Sequence, residues 1–137
     1  MRTFECRAIG VVESALRGVD EAPMQADEGA PVAWLVFDAD VVEGLGSLKP
    51  GDEVMLLTWL DRAERDVLSV HPRGDRTRPR EGVFLTRSPH RPNPIGLHRV
   101  EVTAVEGRRV RVARLEAVDG TPILDMKAVL ASDVGLR

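Results

Sequence analysis

Arg99-Val100-Glu101-Val102-Thr103-Ala104-Val105-Glu106-Gly107-Arg108-Arg109-Val110-Arg111-Val112-Ala113 is the stretch that decides the fold class. Val100-Glu101-Val102 and Val110-Arg111-Val112 alternate apolar and charged residues with a period of two, the repeat of a strand with one wet face. Glu106-Gly107-Arg108 supplies a turn between them, so Arg99–Val105 and Arg109–Ala117 are expected to pair as a hairpin.

Outward from this hairpin, Phe4–Val12, Val32–Phe37, Val54–Leu60 and Val67–His71 are short runs of valine, leucine and aromatics bounded by Gly, Pro or Asp, the pattern of further strands. Helical signal is thin. A turn or two is expected around Asp40 to Leu48, with Asp40 as cap and Gly44 and Gly46 limiting its length. The composite is an all-β domain with short helical turns, closed into a β-barrel so that no strand edge is left open. Val19–Pro31 and His71–Glu81 read as surface loops, with no repeat or low-complexity tract to divide a single domain of residues 1–137.

Composition excludes several classes of function. The chain is 43% hydrophobic and 30% charged, and no apolar run nears the roughly 20 residues that span a bilayer, so no membrane partner is expected. Met1 to Cys6 has no apolar leader core, which points to the cytoplasm. Cys6 is the single cysteine; it excludes an internal disulfide and a cysteine-rich zinc cluster, and reads as a small strand residue. His71, His90 and His98 do not fall at metal-ligand spacing, so no metal is expected. Rossmann, Walker, nucleophile-elbow and zincin motifs are absent.

The net charge of -3 hides an asymmetry: residues 1–70 hold 6 basic and 14 acidic side chains, residues 71–137 hold 13 and 8. Arg73, Arg76, Arg78, Arg80, Arg87 and Arg91 cluster within 71–91 against Asp75 and Glu81. Arginine suits phosphate and carboxylate because its planar fork donates two parallel hydrogen bonds.

Two constellations can carry chemistry. The run Gly82-Val83-Phe84-Leu85-Thr86-Arg87-Ser88-Pro89-His90-Arg91-Pro92-Asn93-Pro94-Ile95-Gly96-Leu97 begins as a strand and then meets three prolines in six residues. Proline fixes its own φ and biases the residue before it, so Ser88, Arg91 and Asn93 sit in a stiff, preset loop. Such a loop suits a polar ligand, because ordering is completed during folding and not on binding. Ser88 and His90 point to opposite faces of an extended segment, which disfavours a nucleophilic dyad. The second run is Leu115-Glu116-Ala117-Val118-Asp119-Gly120-Thr121-Pro122-Ile123-Leu124-Asp125-Met126-Lys127, where Asp119-Gly120 marks a tight turn. Asp125 and Lys127 share a face there, placed to form an ion pair or to line a site.

Gly82 to Leu97 closely resembles the GVFATRSPxRPNPIG signature of the TsaA/TrmO-like family, and Asp119 to Lys127 resembles its DGTPxxDIK pattern. Ile9 to Ser14 is similar to the family's IGxVxSP opening, and Pro23-Met24-Gln25 to its PRQ. The departures are Ala15, Met24, Asp52-Glu53 and Ala128. The resemblance implies a single-sheeted β-barrel methyltransferase that dimerises, binds S-adenosylmethionine near the dimer interface, and methylates the exocyclic amine of threonylcarbamoyladenosine next to a tRNA anticodon. It implies a cofactor site at Gln25, Arg87, Ser88, Arg91, Asn93, Pro94, Ile95, Gly96, Asp119, Gly120 and Thr121. Asp119 or Asp125 would orient the cofactor amine or accept the proton lost by nitrogen, and Arg73, Arg76, Arg78 and Arg80 would face tRNA phosphate. A small-molecule acceptor and a non-catalytic binding module remain open as other readings.

Overall fold

The computed structural model describes residues 1–16, 32–130 and 132. Its strands are β1 (Gly10–Glu13), β2 (Ala33–Phe37), β3 (Glu53–Trp59), β4 (Ser69–Val70), β5 (Glu81–Gly82), β6 (Ile95–Glu106), β7 (Arg109–Ala113) and β8 (Pro122–Ala128). Six of them pair antiparallel around a closed ring in the order β1-β2-β7-β6-β3-β8. β8 returns to β1 through Gly10↔Ile123 and Val11↔Pro122, closing the expected barrel. The small ribbon β4-β5 stands outside that ring.

Period-two alternation fills the interior. Ala33, Leu35 and Phe37 of β2 point inward while Trp34 and Val36 are only partly buried, and Val54 and Leu56 of β3 are buried beside Val100 and Val102 of the neighbouring β6. A narrow barrel has room only for side chains, and this one is packed with valine and leucine. The β6-β7 hairpin forms as anticipated, with Glu106↔Arg109 closing a turn in which Gly107 takes φ 63°.

Several boundaries differ from the sequence reading. Residues 1–8 are exposed and form no strand, so Phe4 and Cys6 lie outside the ladder. β7 stops at Ala113 because Arg114 adopts φ 57°, turning the chain inward so that Leu115 and Ala117 cross the barrel mouth and are buried. β6 starts at Ile95, directly after the last proline of the loop. The helical turn is a 3₁₀ segment, Ala39–Leu45, whose N-cap position is Asp38 and not Asp40. Val67–His71 contributes only Ser69–Val70, and Gly82 leaves β5 straight into a 3₁₀ turn, Val83–Leu85.

Candidate functional site

One end of the barrel gathers the exit of β1, the Arg114–Thr121 crossover, the exit of β3 and the entry of β6 with its proline loop, as the antiparallel order requires. Both constellations singled out in the sequence therefore meet there.

The proline loop is held internally by Arg91. Its Nη1 donates to the carbonyls of Thr86 (3.1 Å) and Ser88 (2.9 Å), and its Nη2 to that of Val83 (2.8 Å). Three carbonyls on one planar fork make Arg91 a part of the loop's frame. From outside, residues 60–65 run alongside: Leu60 N donates to Pro94 O, Arg91 N to Glu64 O, and Glu64 N to His90 Nδ1. His90 is thus engaged by a backbone amide, while Ser88 Oγ accepts from His90 N, so serine and imidazole form no dyad. Arg65 stacks on Trp59 with 5.1 Å to the ring centre, and donates to Pro92 O (2.8 Å) and Asn93 Oδ1 (3.2 Å). Arg87 reaches Leu97 O at 3.4 Å, along the half of β6 that extends beyond β7. Neither Arg65 nor Glu64 carried a sequence signal, because the contact depends on the β3 exit lying beside the loop.

The Asp119 turn closes on the exit of β1. Asp119 Oδ1 accepts from Ser14 N (2.9 Å), Asp119 N donates to Leu16 O, and Gly120 N donates to Val12 O. Thr121 is buried with its hydroxyl on Val118 O at 2.7 Å, so it shapes the turn. Asp119 also borders an open hollow of ≈ 550 Å³ with Glu13, Ser14, Ala15, Val32 and Trp34. Asp125 is not brought to this end: it lies exposed on the outer wall of β8 opposite Leu57, 3.6 Å from Lys127 Nζ, as their spacing anticipated. Gln25 lies outside the described residues.

Inside the mouth runs a buried chain that sequence reading missed. Thr58 Oγ1 is 2.8 Å from His98 Nε2, and His98 Nδ1 is 2.5 Å from Glu116 Oε1. Glu116 Oε2 is buried and has no hydrogen-bond partner. The order mimics a nucleophilic triad, but Thr58 has no exposed surface and cannot meet a substrate. Gly96 belongs to this packing, since a Cβ there would overlap Thr58 Oγ1.

The arginine cluster divides. Arg80 is committed to Ser69, through Nε to Oγ (3.0 Å) and Nη2 to the carbonyl (2.7 Å), bracing the β4-β5 ribbon. Arg73 takes a left-handed turn inside Pro72–Gly74, and Arg76 and Arg78 are exposed. Asp75 Oδ1 accepts from Thr77 Oγ1 (2.6 Å) and Thr77 N (2.9 Å), which holds its carboxyl below the usual carboxylate range. Among the described residues no cluster of His, Cys, Asp and Glu could hold a metal, and no helix is long and apolar enough to cross a membrane.

The family profile described as the tRNA-methyltransferase O N-terminal domain matches residues 11–133, spanning both constellations. The chain belongs to this family. An Archaeoglobus fulgidus relative named "S-adenosyl-L-methionine-binding protein" is 41% identical over 121 residues, covering 88% of this chain and 86% of the relative. A longer one from the same organism, "Probable S-adenosyl-L-methionine-binding protein", is 39% identical over 127 residues, 93% of this chain but 34% of its own length. A crystal structure of TrmO from Pseudomonas aeruginosa superposes with a TM-score of 0.77 at 27% identity, covering 99% of this chain. This chain spans 59% of that TrmO chain and about a third of the longer Archaeoglobus relative.

Proposed function

We propose that this domain is an S-adenosylmethionine-dependent methyltransferase that binds the cofactor at the proline-loop end of the barrel and methylates the exocyclic amine of threonylcarbamoyladenosine in tRNA, in the cytoplasm. The observation that carries the reading is the proline loop: its shape is set by three prolines and the Arg91 fork, and it stands at the barrel end that also holds the Asp119 turn. The residues present suit the cofactor, because Asn93 and Arg87 carry donors and Asp119, beside the open hollow, carries a carboxylate for a cationic amine.

S-Adenosylmethionine, when bound, supplies an electrophilic methyl group. The chain's own contribution is positioning, since an in-line displacement at carbon gains most from holding the partners at attack distance. Arg91 and Arg65 keep the loop in one shape before ligand arrives, which lowers the ordering cost of binding. Asp119 is tethered by Ser14 N at 2.9 Å and stands beside the hollow, where it would orient an amine or take a proton from nitrogen. Arg76 and Arg78, on the exposed tip of the ribbon, would meet phosphate.

A homodimer belongs to the same proposal. Leu57↔Leu97 and Trp59↔Ile95 pair across β3 and β6 on the outer wall, and Ile95 and Leu97 remain 44% and 40% exposed. An apolar outer stripe beside the loop is the surface a second copy would cover.

The alternative is a small-molecule acceptor, favoured by Arg80 being committed to Ser69. Calorimetry with S-adenosylmethionine, then methyl transfer assayed on unmodified tRNA, threonylcarbamoylated tRNA and small amines, tests the reading. Transfer to modified tRNA alone is the expected result; binding without transfer to any acceptor would leave a binding module.

A further inference from the structure

We propose that Arg65 fixes Asn93 as a hydrogen-bond donor, so that the Asn93 amide reads an anionic oxygen of the ligand, the carboxylate of the cofactor's amino-acid moiety. The inference rests on the proline loop being the cofactor site.

A guanidinium has only donors, so the atom of Asn93 that faces Arg65 Nη2 at 3.2 Å must be the carbonyl oxygen, and the NH2 is turned away from it. Asn93 lies between Pro92 and Pro94, which restrict the backbone on both sides, and the carbonyl of Pro92 is itself held by Arg65 Nε at 2.8 Å. Arg65 in turn sits over the ring of Trp59, the last residue of β3. Barrel wall, stacked guanidinium and amide therefore form one rigid series ending in two N–H groups. A group that offers only donors recognises an acceptor and rejects an amine. The Arg65 guanidinium beside the amide adds positive charge, which favours an anionic acceptor over a ribose hydroxyl. The only carboxylate of S-adenosylmethionine is on its amino-acid moiety.

Arg65 is thus a positioning residue, acting through Asn93. The test is calorimetry of S-adenosylmethionine and of its decarboxylated analogue, which keeps the adenosine, sulfonium and amine, on the wild-type protein and on Arg65→Ala, Arg65→Lys and Asn93→Asp. The wild type is expected to prefer S-adenosylmethionine. Asn93→Asp keeps an oxygen toward Arg65 but turns a second oxygen on the ligand, and it should weaken S-adenosylmethionine at least about tenfold while leaving the analogue unchanged. Arg65→Ala should lower the preference by about threefold to tenfold, and Arg65→Lys should restore part of it. Thermal melting of each variant accompanies the titrations, and the preference between ligands is a ratio that general loosening of the loop would not move. Equal losses for both ligands, or an Arg65→Ala protein with wild-type preference, would overturn the assignment. A wild-type protein that binds both ligands equally well refutes it alone, whereas one that binds neither refutes the cofactor site itself.

Discussion

Gly96 packs against Thr58 so closely that a Cβ on Gly96 would overlap Thr58 Oγ1 and come within 2.7 Å of His98 Nε2. The glycine of the Asn-Pro-Ile-Gly run is therefore demanded by the buried Thr58-His98-Glu116 chain behind it, whatever else it does for a ligand. Gly96→Ala should destabilise the fold by about 1–3 kcal/mol through overpacking, and Thr58→Ala in the same chain should recover part of that loss. Denaturant unfolding of the two single variants and the double variant measures the coupling. Simple additivity would show that the two sites do not press on each other.

Arg91→Lys keeps the charge and removes the fork. A point charge cannot serve Val83 O, Thr86 O and Ser88 O together, so the loop should loosen and affinity for S-adenosylmethionine fall about tenfold, equivalent to about 1.4 kcal/mol. Calorimetry reads the affinity, and amide exchange at residues 83–91 reads the loosening. Unchanged values in both would mean that backbone geometry and the prolines hold the loop without the fork.

The arginine ribbon predicts a salt effect separable from the cofactor. Replacing Arg76 and Arg78 with alanine should leave cofactor affinity unchanged while lowering tRNA affinity, with the log-log salt slope falling by about 1 for each phosphate no longer neutralised. Filter binding across a salt series checks this. An unaltered slope would make the small-molecule acceptor the better reading.

Asp75 links that ribbon to pH. Thr77 donates to its carboxylate first through the hydroxyl and then through the backbone, so the folded-state pKa lies below the ordinary 3.8. A depressed carboxylate favours the ordered loop above 3.8 and ceases to do so as the pH falls through the lowered value. The contribution of Asp75 to loop order should therefore be constant above about pH 5 and should decline only in acid below about 3.8. Asp75→Asn should remove the acid step in exchange of the Thr77 amide; a step surviving in that variant would assign it elsewhere.

Leu97→Glu places a charge on the outer stripe opposite Leu57. If a second copy covers that wall, light scattering should report a monomer for the variant and a dimer for the parent, because an unpaired charge in a contact core is strongly disfavoured. Identical masses for both proteins would separate the stripe from assembly.

The sequence by itself determined the all-β class, the β6-β7 hairpin, the rigidity of the Arg87–Gly96 loop and the family signature, because alternation, turn glycine and proline are local properties that one segment expresses alone. Strand ends were less legible: Arg114 ends β7 four residues short of Ala117 by a left-handed turn that only the burial of Leu115 and Ala117 under the barrel mouth explains. The contacts of the candidate site residues are set by the tertiary structure. Arg91 and Thr121, read as ligand residues, also bind backbone carbonyls, while Asp125 lies on the outer wall. Arg65, 28 positions from Asn93, and the pairing of Thr58 with His98, 40 positions apart, have no local signature. Such contacts arise because antiparallel pairing of β3 with β6 brings the end of the first beside the start of the second, and their energy depends on distances that no single segment encodes.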